Sequence, residues 1–146
     1  MIHAVERPQA QTPTHCTAEQ YEAMYRASVE TPDAFWLEQA QRLDWVKAPT
    51  IGGDWAYDPV AIKWFEDGQL NLCYNAIDRH LATHANKTAL IFEPDDPANE
   101  SRSLTYGELN REVVRMANAL KALGVARGDR VTIYMPMILE GVVAML

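Results

Sequence analysis

Cysteine is scarce: Cys16 and Cys73 are the only two. They form no CxxC pair and lack the density of a disulfide framework, which fits a reduced, cytosolic compartment. Whether the two pair with each other stays open. Long apolar runs are missing too. The nearest, VTIYMPMILEGVVAML, is interrupted by Pro136 and Glu140, so no membrane span is expected. The opening MIHAVERPQAQTPTHC lacks an apolar signal core, and residues 1–16 read as a flexible leader. Positive charge is in deficit, with 13 Lys and Arg against 20 Asp and Glu. No basic cluster offsets that balance, which argues against a nucleic-acid role. There is no internal repeat and no low-complexity tract. GxxxxGK[ST], GxGxxG and GxSxG are all absent, so no phosphate loop, dinucleotide fingerprint or hydrolase elbow is present.

What is there is most informative between Leu104 and Met137, LTYGELNREVVRMANALKALGVARGDRVTIYMPM. Thr105 followed three residues later by Glu108 is a capping box. Tyr106, Leu109, Val113, Met116, Ala117, Leu120 and Leu123 recur at helical spacing, with Arg111, Glu112, Arg115 and Lys121 largely on the other side. Gly124 stands where a left-handed residue closes a helix. Arg127-Gly128-Asp129 is a turn, Val131–Met135 a β-branched apolar strand, and Pro136 its end. A helix feeding such a strand predicts part of a crossover unit in a mostly parallel sheet. The core expected here is Leu109, Val113, Met116, Leu120, Val131 and Ile133. A strand of this kind needs neighbours, so we expect the front of a larger α/β protein, with residues 137–146 helical or ordered by another copy.

Upstream, Thr17 with Gln20 is a second capping box, followed by Tyr21, Met24, Tyr25 and Ser28 at helical spacing. Thr31-Pro32 starts another helix, striped by Phe35, Trp36, Ala40 and Leu43. Residues 44–68 read as irregular but rich in rings: Trp45, Trp55, Tyr57, Trp64 and Phe65. These rings are either an aromatic ligand site or, as we favour, pins holding the segment down. Asp67-Gly68 is a turn, Leu70–Tyr74 is extended, and Asn75 is expected to cap a helix from Ala76 to His84. Thr88–Glu93 and Arg102–Thr105 read as antiparallel strands around a polar loop, 94–100. A boundary falls near residue 85.

No candidate for chemistry is convincing. Gly52-Gly53 stands alone before Asp54, whose charge repels phosphate. His80 and His84 share a helical face but lack a third ligand and the glutamate of HExxH. Asp95, Asp96, Asn99 and Glu100 lack EF-hand spacing, and Pro97 interrupts them. Arg127-Gly128-Asp129 is favoured as a turn over an adhesion motif. Asp78, Arg79 and His80 are adjacent on a helix and so point apart.

The stretches YEAMYRASVETPDAFWLEQAQRLDW, IKWFEDGQLNLCYNAIDRHL and LTYGELNREVVRMANALKALGVARGDRVTIYMPM together resemble the N-terminal part of the AMP-forming acetyl-CoA synthetases (acetate–CoA ligases). The resemblance runs from about Tyr21 to Leu146. The first two stretches are similar to that branch's N-terminal extension, the third to the opening of the wider adenylate-forming superfamily. The chain departs at Ile138-Leu139-Glu140, where the family usually has Ile/Val-Pro-Glu, and in Gly141–Leu146, where it runs AAVAML or similar.

Residues 1–16 carry none of the resemblance; beyond them it implies an α/β fold, with a helical N-terminal extension, 17–84, and the first strands and crossover helix of an incomplete AMP-binding domain, 85–146. It implies ATP, Mg²⁺ and coenzyme A for the complete enzyme, which would pass through acetyl-adenylate. The family's phosphate loop, acyl pocket, coenzyme A contacts and C-terminal lysine match no position here. No catalytic, cofactor-binding or metal residue is therefore expected in this stretch, and the rest of a synthetase chain is its expected partner. A propionyl or other short-acyl ligase is the near alternative. A free-standing module that pairs with a full synthetase, or with itself through exposed apolar surface, is the distant one.

Overall fold

A computed structural model describes residues 15–146. The expected leader lies outside the described residues apart from His15 and Cys16. The chain is a mixed helix and strand protein that opens with helices and continues into small sheets. It forms two compact units, the first ending at Gln69 and the second running Leu70–Leu146.

In the first unit, α1 (Ala18–Glu30) starts at Thr17 as expected. The Gln20 amide donates to the Thr17 hydroxyl at 3.3 Å, and the Thr17 amide to the Gln20 side chain at 2.9 Å. None of the α1 side chains is buried. Helix α2 (Pro32–Ala40) has Pro32 in its first turn, where a missing amide is harmless, and buries Ala40. Strand β1 (Trp45–Lys47) follows. The segment read as irregular is in fact a hairpin: β2 (Gly53–Tyr57) pairs antiparallel with β3 (Val60–Trp64), with Trp55 opposite Ile62 and Gly53 opposite Trp64. Its connection is Asp58-Pro59, joined by a cis peptide. Trp55, Tyr57, Val60, Ile62 and Trp64 share one face, and Asp54 and Lys63 lie on the other. The two-residue alternation was the signal for this hairpin, and the density of rings masked it. A two-residue strand β4 (Gln69–Leu70) holds the boundary.

In the second unit the cap is Asn71, not Asn75. The Asn71 side chain accepts the Tyr74 amide at 2.9 Å and starts α3 (Leu72–Ala76). Asn75 is instead buried, donating to the Asn71 carbonyl and accepting from Arg79. Of two asparagines four apart, the outer one keeps solvent and the cap. A 3₁₀ turn, Asp78–His80, leads into α4 (Leu81–His84). Strands β5 (Thr88–Phe92) and β6 (Arg102–Thr105) pair antiparallel as expected, with a register shift between Thr88 and Leu90. Helix α5 (Tyr106–Ala122) carries the predicted capping box. Gly124 closes it at φ 84°, a conformation that favours glycine.

The core of this unit is Ile77, Leu109 and Val113, flanked by Leu81, Leu90, Leu104 and Val143. Of the six residues expected to be buried together, two are. Leu109 and Val113 are buried and Met116 and Leu120 half-buried, but Val131 and Ile133 are exposed and Ile77 takes their place. The expected strand Val131–Met135 joins no sheet among the described residues. A strand exists only beside a neighbour, and none lies alongside it. Helix α6 (Leu139–Met145) realises the helical expectation for the final residues, with Leu139 buried.

Candidate functional site

The sequence's candidate residues are dispersed by the fold. Gly52 and Gly53 do present amides, but to a carboxylate of the chain itself. Asp33, in the first turn of α2, accepts from Gly52 at 2.7 Å and from Gly53 at 3.4 Å. Those donors are satisfied and offer nothing to phosphate.

Asp67 completes the clamp on this loop. It accepts from the Thr50 amide and hydroxyl and from the Ile51 amide, the hydroxyl contact being 2.7 Å. The Thr50 hydroxyl and amide hold its carboxyl below the usual carboxylate range. Stability linked to a depressed carboxylate is present above the unfolded pKa and is lost as pH falls through the lowered native value. Acidifying below about pH 4 should therefore loosen Thr50 and Ile51. Asp67→Asn should be less stable near neutral pH and show a flatter acid dependence, read by tryptophan fluorescence. An Asp67→Asn variant with unchanged acid sensitivity would contradict this reading.

The rings assemble as pins. Trp64 sits 5.7 Å from Trp36, 5.4 Å from Trp55 and 6.3 Å from Phe65, while Trp45 meets Phe65 at 5.7 Å. The Trp45 indole donates to the Ala40 carbonyl at 2.8 Å. These contacts tie α2 to the hairpin and the loop after it, with ring-to-ring geometry of the usual edge and offset kinds. The rings therefore pack on one another and on α2.

His80 and His84 have ring centroids 6.2 Å apart, and His80 also meets Tyr106 at 5.9 Å. Among the described residues no group of three or more His, Cys, Asp or Glu converges as a metal would require. Asp78, Arg79 and His80 diverge: Asp78 accepts from Asn110, Arg79 donates to Asn75, and His80 lies against Tyr106. Cys16 and Cys73 are both free. Burial and the nearby Asp78 push the Cys73 thiol up, away from a nucleophilic thiolate.

Asp96 closes its own loop, its side chain accepting the Ala98 amide at 2.9 Å. Asp129 does the same for the Arg127–Asp129 turn, accepting the Ala126 amide at 2.7 Å, with Gly128 at φ 98°.

One polar feature was not anticipated. Arg102 on β6 makes a two-pronged pair with Glu140 in the first turn of α6, at 2.8 and 2.9 Å, and lies 5.5 Å over the Phe92 ring. The two partners reinforce each other's charged form: the Glu140 carboxyl is held low and the Arg102 guanidinium high. With Ser103, Leu104, Glu112, Leu139 and Val143 they border an open groove of about 500 Å³. The guanidinium faces a carboxylate of its own chain, so the groove presents no uncommitted cation to a phosphate. Thirty-eight residues separate Arg102 from Glu140, so no local pattern could have paired them.

Residues 77–146 match the family model of the AMP-binding enzymes. Residues 21–76 match that of the acetyl-coenzyme A synthetase N-terminus, so the two matches run without a gap to residue 146. From residue 21 to residue 146 the chain is thus similar to AMP-binding enzymes and to the acetyl-coenzyme A synthetase N-terminus. It is 58% identical over 128 residues to an acetyl-coenzyme A synthetase of Aeromonas hydrophila, covering 86% of this chain and 20% of that one. It is 55% identical over 128 residues to that of Bradyrhizobium sp. strain ORS 278, with the same coverage. With that of Beijerinckia indica it shares 52% over 134 residues, 90% of this chain and 21% of the relative. The chain thus spans about a fifth of the length of these relatives. No helix among the described residues is long and apolar enough to cross a membrane.

Proposed function

We propose that this chain supplies the N-terminal extension and the opening of the AMP-binding domain of a cytoplasmic acetate–CoA ligase, and that its own role there is structural. The reaction of the complete enzyme joins acetate to ATP, giving acetyl-adenylate and pyrophosphate. The coenzyme A thiol then displaces AMP to give acetyl-CoA. ATP, Mg²⁺ and coenzyme A are requirements of that enzyme, met by parts of its chain outside these residues. The supporting observation is the unbroken 21–146 match, at 52–58% identity, to relatives named for acetyl-CoA synthesis. The Gly52 and Gly53 amides face Asp33 and the Arg102 guanidinium faces Glu140, so these groups are not offered to a triphosphate.

In this reading the extension hands over to the AMP-binding domain between residue 77, where the family match changes, and the expected boundary near residue 85, ahead of β5 at Thr88. The clamps and rings of the first unit keep its loop-rich surface in one conformation. The capped α5 and its core hold β5 and β6 in place.

A chimera tests the proposal. Residues 21–146 replace the matching stretch of the Aeromonas hydrophila relative. Acetyl-CoA formation should require acetate, ATP and coenzyme A together and stay within about tenfold of the unaltered relative, a change of about 1.4 kcal/mol in barrier. A folded chimera without that activity would contradict it.

A further inference from the structure

We propose that Asp67-Gly68 is a site of spontaneous isoaspartate formation, gated by the opening of the clamp that Asp67 makes on Thr50 and Ile51. It stands on contacts within the first unit and does not depend on the ligase reading. Asp67-Gly68 is the one place in the sequence where glycine follows an aspartate or asparagine. Such a pair is chemically labile, because a residue without a Cβ lets its amide nitrogen approach the preceding side-chain carbonyl carbon.

The fold requires both residues, each for its own reason. Asp67 receives the Thr50 amide and hydroxyl and the Ile51 amide. Gly68 lies against the Trp45 ring: an added Cβ would come within 2.7 Å of that ring and 3.2 Å of Pro49. The ring has little room to retreat, since its indole donates to the Ala40 carbonyl and it packs against Phe65. A clamp that needs a carboxylate and a ring that needs a glycine together place the labile dipeptide in this turn.

The step returns every atom it releases. The Gly68 nitrogen gives up its proton and attacks Asp67 Cγ. The new C–N bond closes a cyclic imide as a Cγ–O bond breaks and water departs. Water then adds to one of the imide carbonyls. Addition at Cγ restores aspartate. Addition at the α-carbonyl leaves the main chain running through Cγ and frees the α-carboxylate, which is isoaspartate. Nothing is oxidised or reduced.

The closed clamp opposes this at both reacting atoms. The Gly68 N–H donates to the Phe65 carbonyl at 2.9 Å, which holds the nitrogen toward Phe65. Loss of water needs a protonated carboxyl, and the donors of Thr50 and Ile51 favour the carboxylate. Phe65 itself stands at φ 49°, a left-handed conformation that its ring contacts with Trp45 and Trp64 maintain. When those rings let go, the turn, the amide and the carboxyl are released together. The product does not re-form the clamp, because the added backbone methylene displaces the carboxylate. Isoaspartate at residue 67 is thus a one-way mark of loop opening.

Incubating the 146-residue chain at neutral pH and body temperature tests this, beside the excised peptide 64–79 that trypsin releases from it. The isomers have one mass and separate by chromatography, so tryptic mapping quantifies them. In the folded chain isoaspartate at 67 should accumulate about tenfold or more slower than in the peptide, since only opened molecules react. Thr50→Val deletes the hydroxyl donor and keeps the amide, and should speed the reaction about threefold or more, while Thr50→Ser keeps the wild-type rate. Tryptophan fluorescence shows whether each variant is folded. If Thr50→Val unfolds the unit, the wild type in urea below its unfolding transition carries the test, and its rate should rise with urea. Isomerisation as fast in the folded chain as in the peptide would overturn the inference. So would a folded Thr50→Val chain that keeps the wild-type rate, a wild-type rate indifferent to urea, or a peptide that forms no isoaspartate.

Discussion

Ile77→Ala should cost the Leu70–Leu146 unit about 3 kcal/mol, the usual scale for truncating a buried aliphatic side chain when its surroundings cannot collapse. Ile77 is wholly buried and forms, with Leu109 and Val113, the centre of this unit. It sits at the break between α3 and the 3₁₀ turn, so the backbone on both sides is held by bonds such as Ile77 N to the Cys73 carbonyl and His80 N to the Ile77 carbonyl. That framework keeps the hole open, and the cavity adds to the lost transfer energy. A domain's margin is about 5–15 kcal/mol, so the loss should be plain in urea unfolding followed by far-UV circular dichroism. Leu123→Ala is the control: Leu123 is 81% exposed and the change should stay within about 0.5 kcal/mol. Equal effects of the two substitutions would refute the assigned core.

Gly52→Ala should destabilise the first unit by about 2–3 kcal/mol through overpacking against backbone. An added Cβ would lie 2.5 Å from the Asp33 carbonyl oxygen and 3.1 Å from its Oδ1. The first of these is main chain in the opening turn of α2 and has little room to yield. Any shift that relieves the clash also lengthens the 2.7 Å bond from the Gly52 amide to Asp33. The four tryptophans, Trp36, Trp45, Trp55 and Trp64, all lie in this unit, so their fluorescence isolates the transition. Gly124→Ala gives the contrast. Nothing stands within 4 Å of its Cβ position, and only the left-handed backbone opposes the change, at about 1 kcal/mol. If Gly52→Ala were neutral, the close approach of the loop to Asp33 would be wrong.

Local features of the fold were legible in the sequence because their causes are local. The Thr17–Gln20 and Thr105–Glu108 boxes, the Thr31-Pro32 start, Gly124 and the β5–β6 pair each depend on residues a few positions apart. The hairpin at 53–64 differs from the irregular segment expected: Trp55, Ile62 and Trp64 alternate with Asp54 and Lys63, a pattern that the density of rings around Asp58-Pro59 obscures. Asn71 and Asn75 are equally good caps by type, and burial alone separates them.

Val131–Met135 has the composition of a strand but pairs with nothing among the described residues, since pairing belongs to a neighbour that residue patterns in this stretch do not contain. Long-range pairs such as Arg102–Glu140 and Thr50–Asp67 leave no local trace. The functional reading came from likeness to a family, not from any constellation of reactive groups.

The most direct measurement is a calorimetric titration of the 146-residue chain with Mg-ATP and, separately, with a non-hydrolysable acetyl-adenylate analogue. No saturable heat is expected for either ligand up to millimolar concentration, where binding weaker than about 4 kcal/mol goes undetected. Saturable binding at micromolar concentration would mean that a complete nucleotide pocket lies within these residues, and the structural role assigned to them would be wrong.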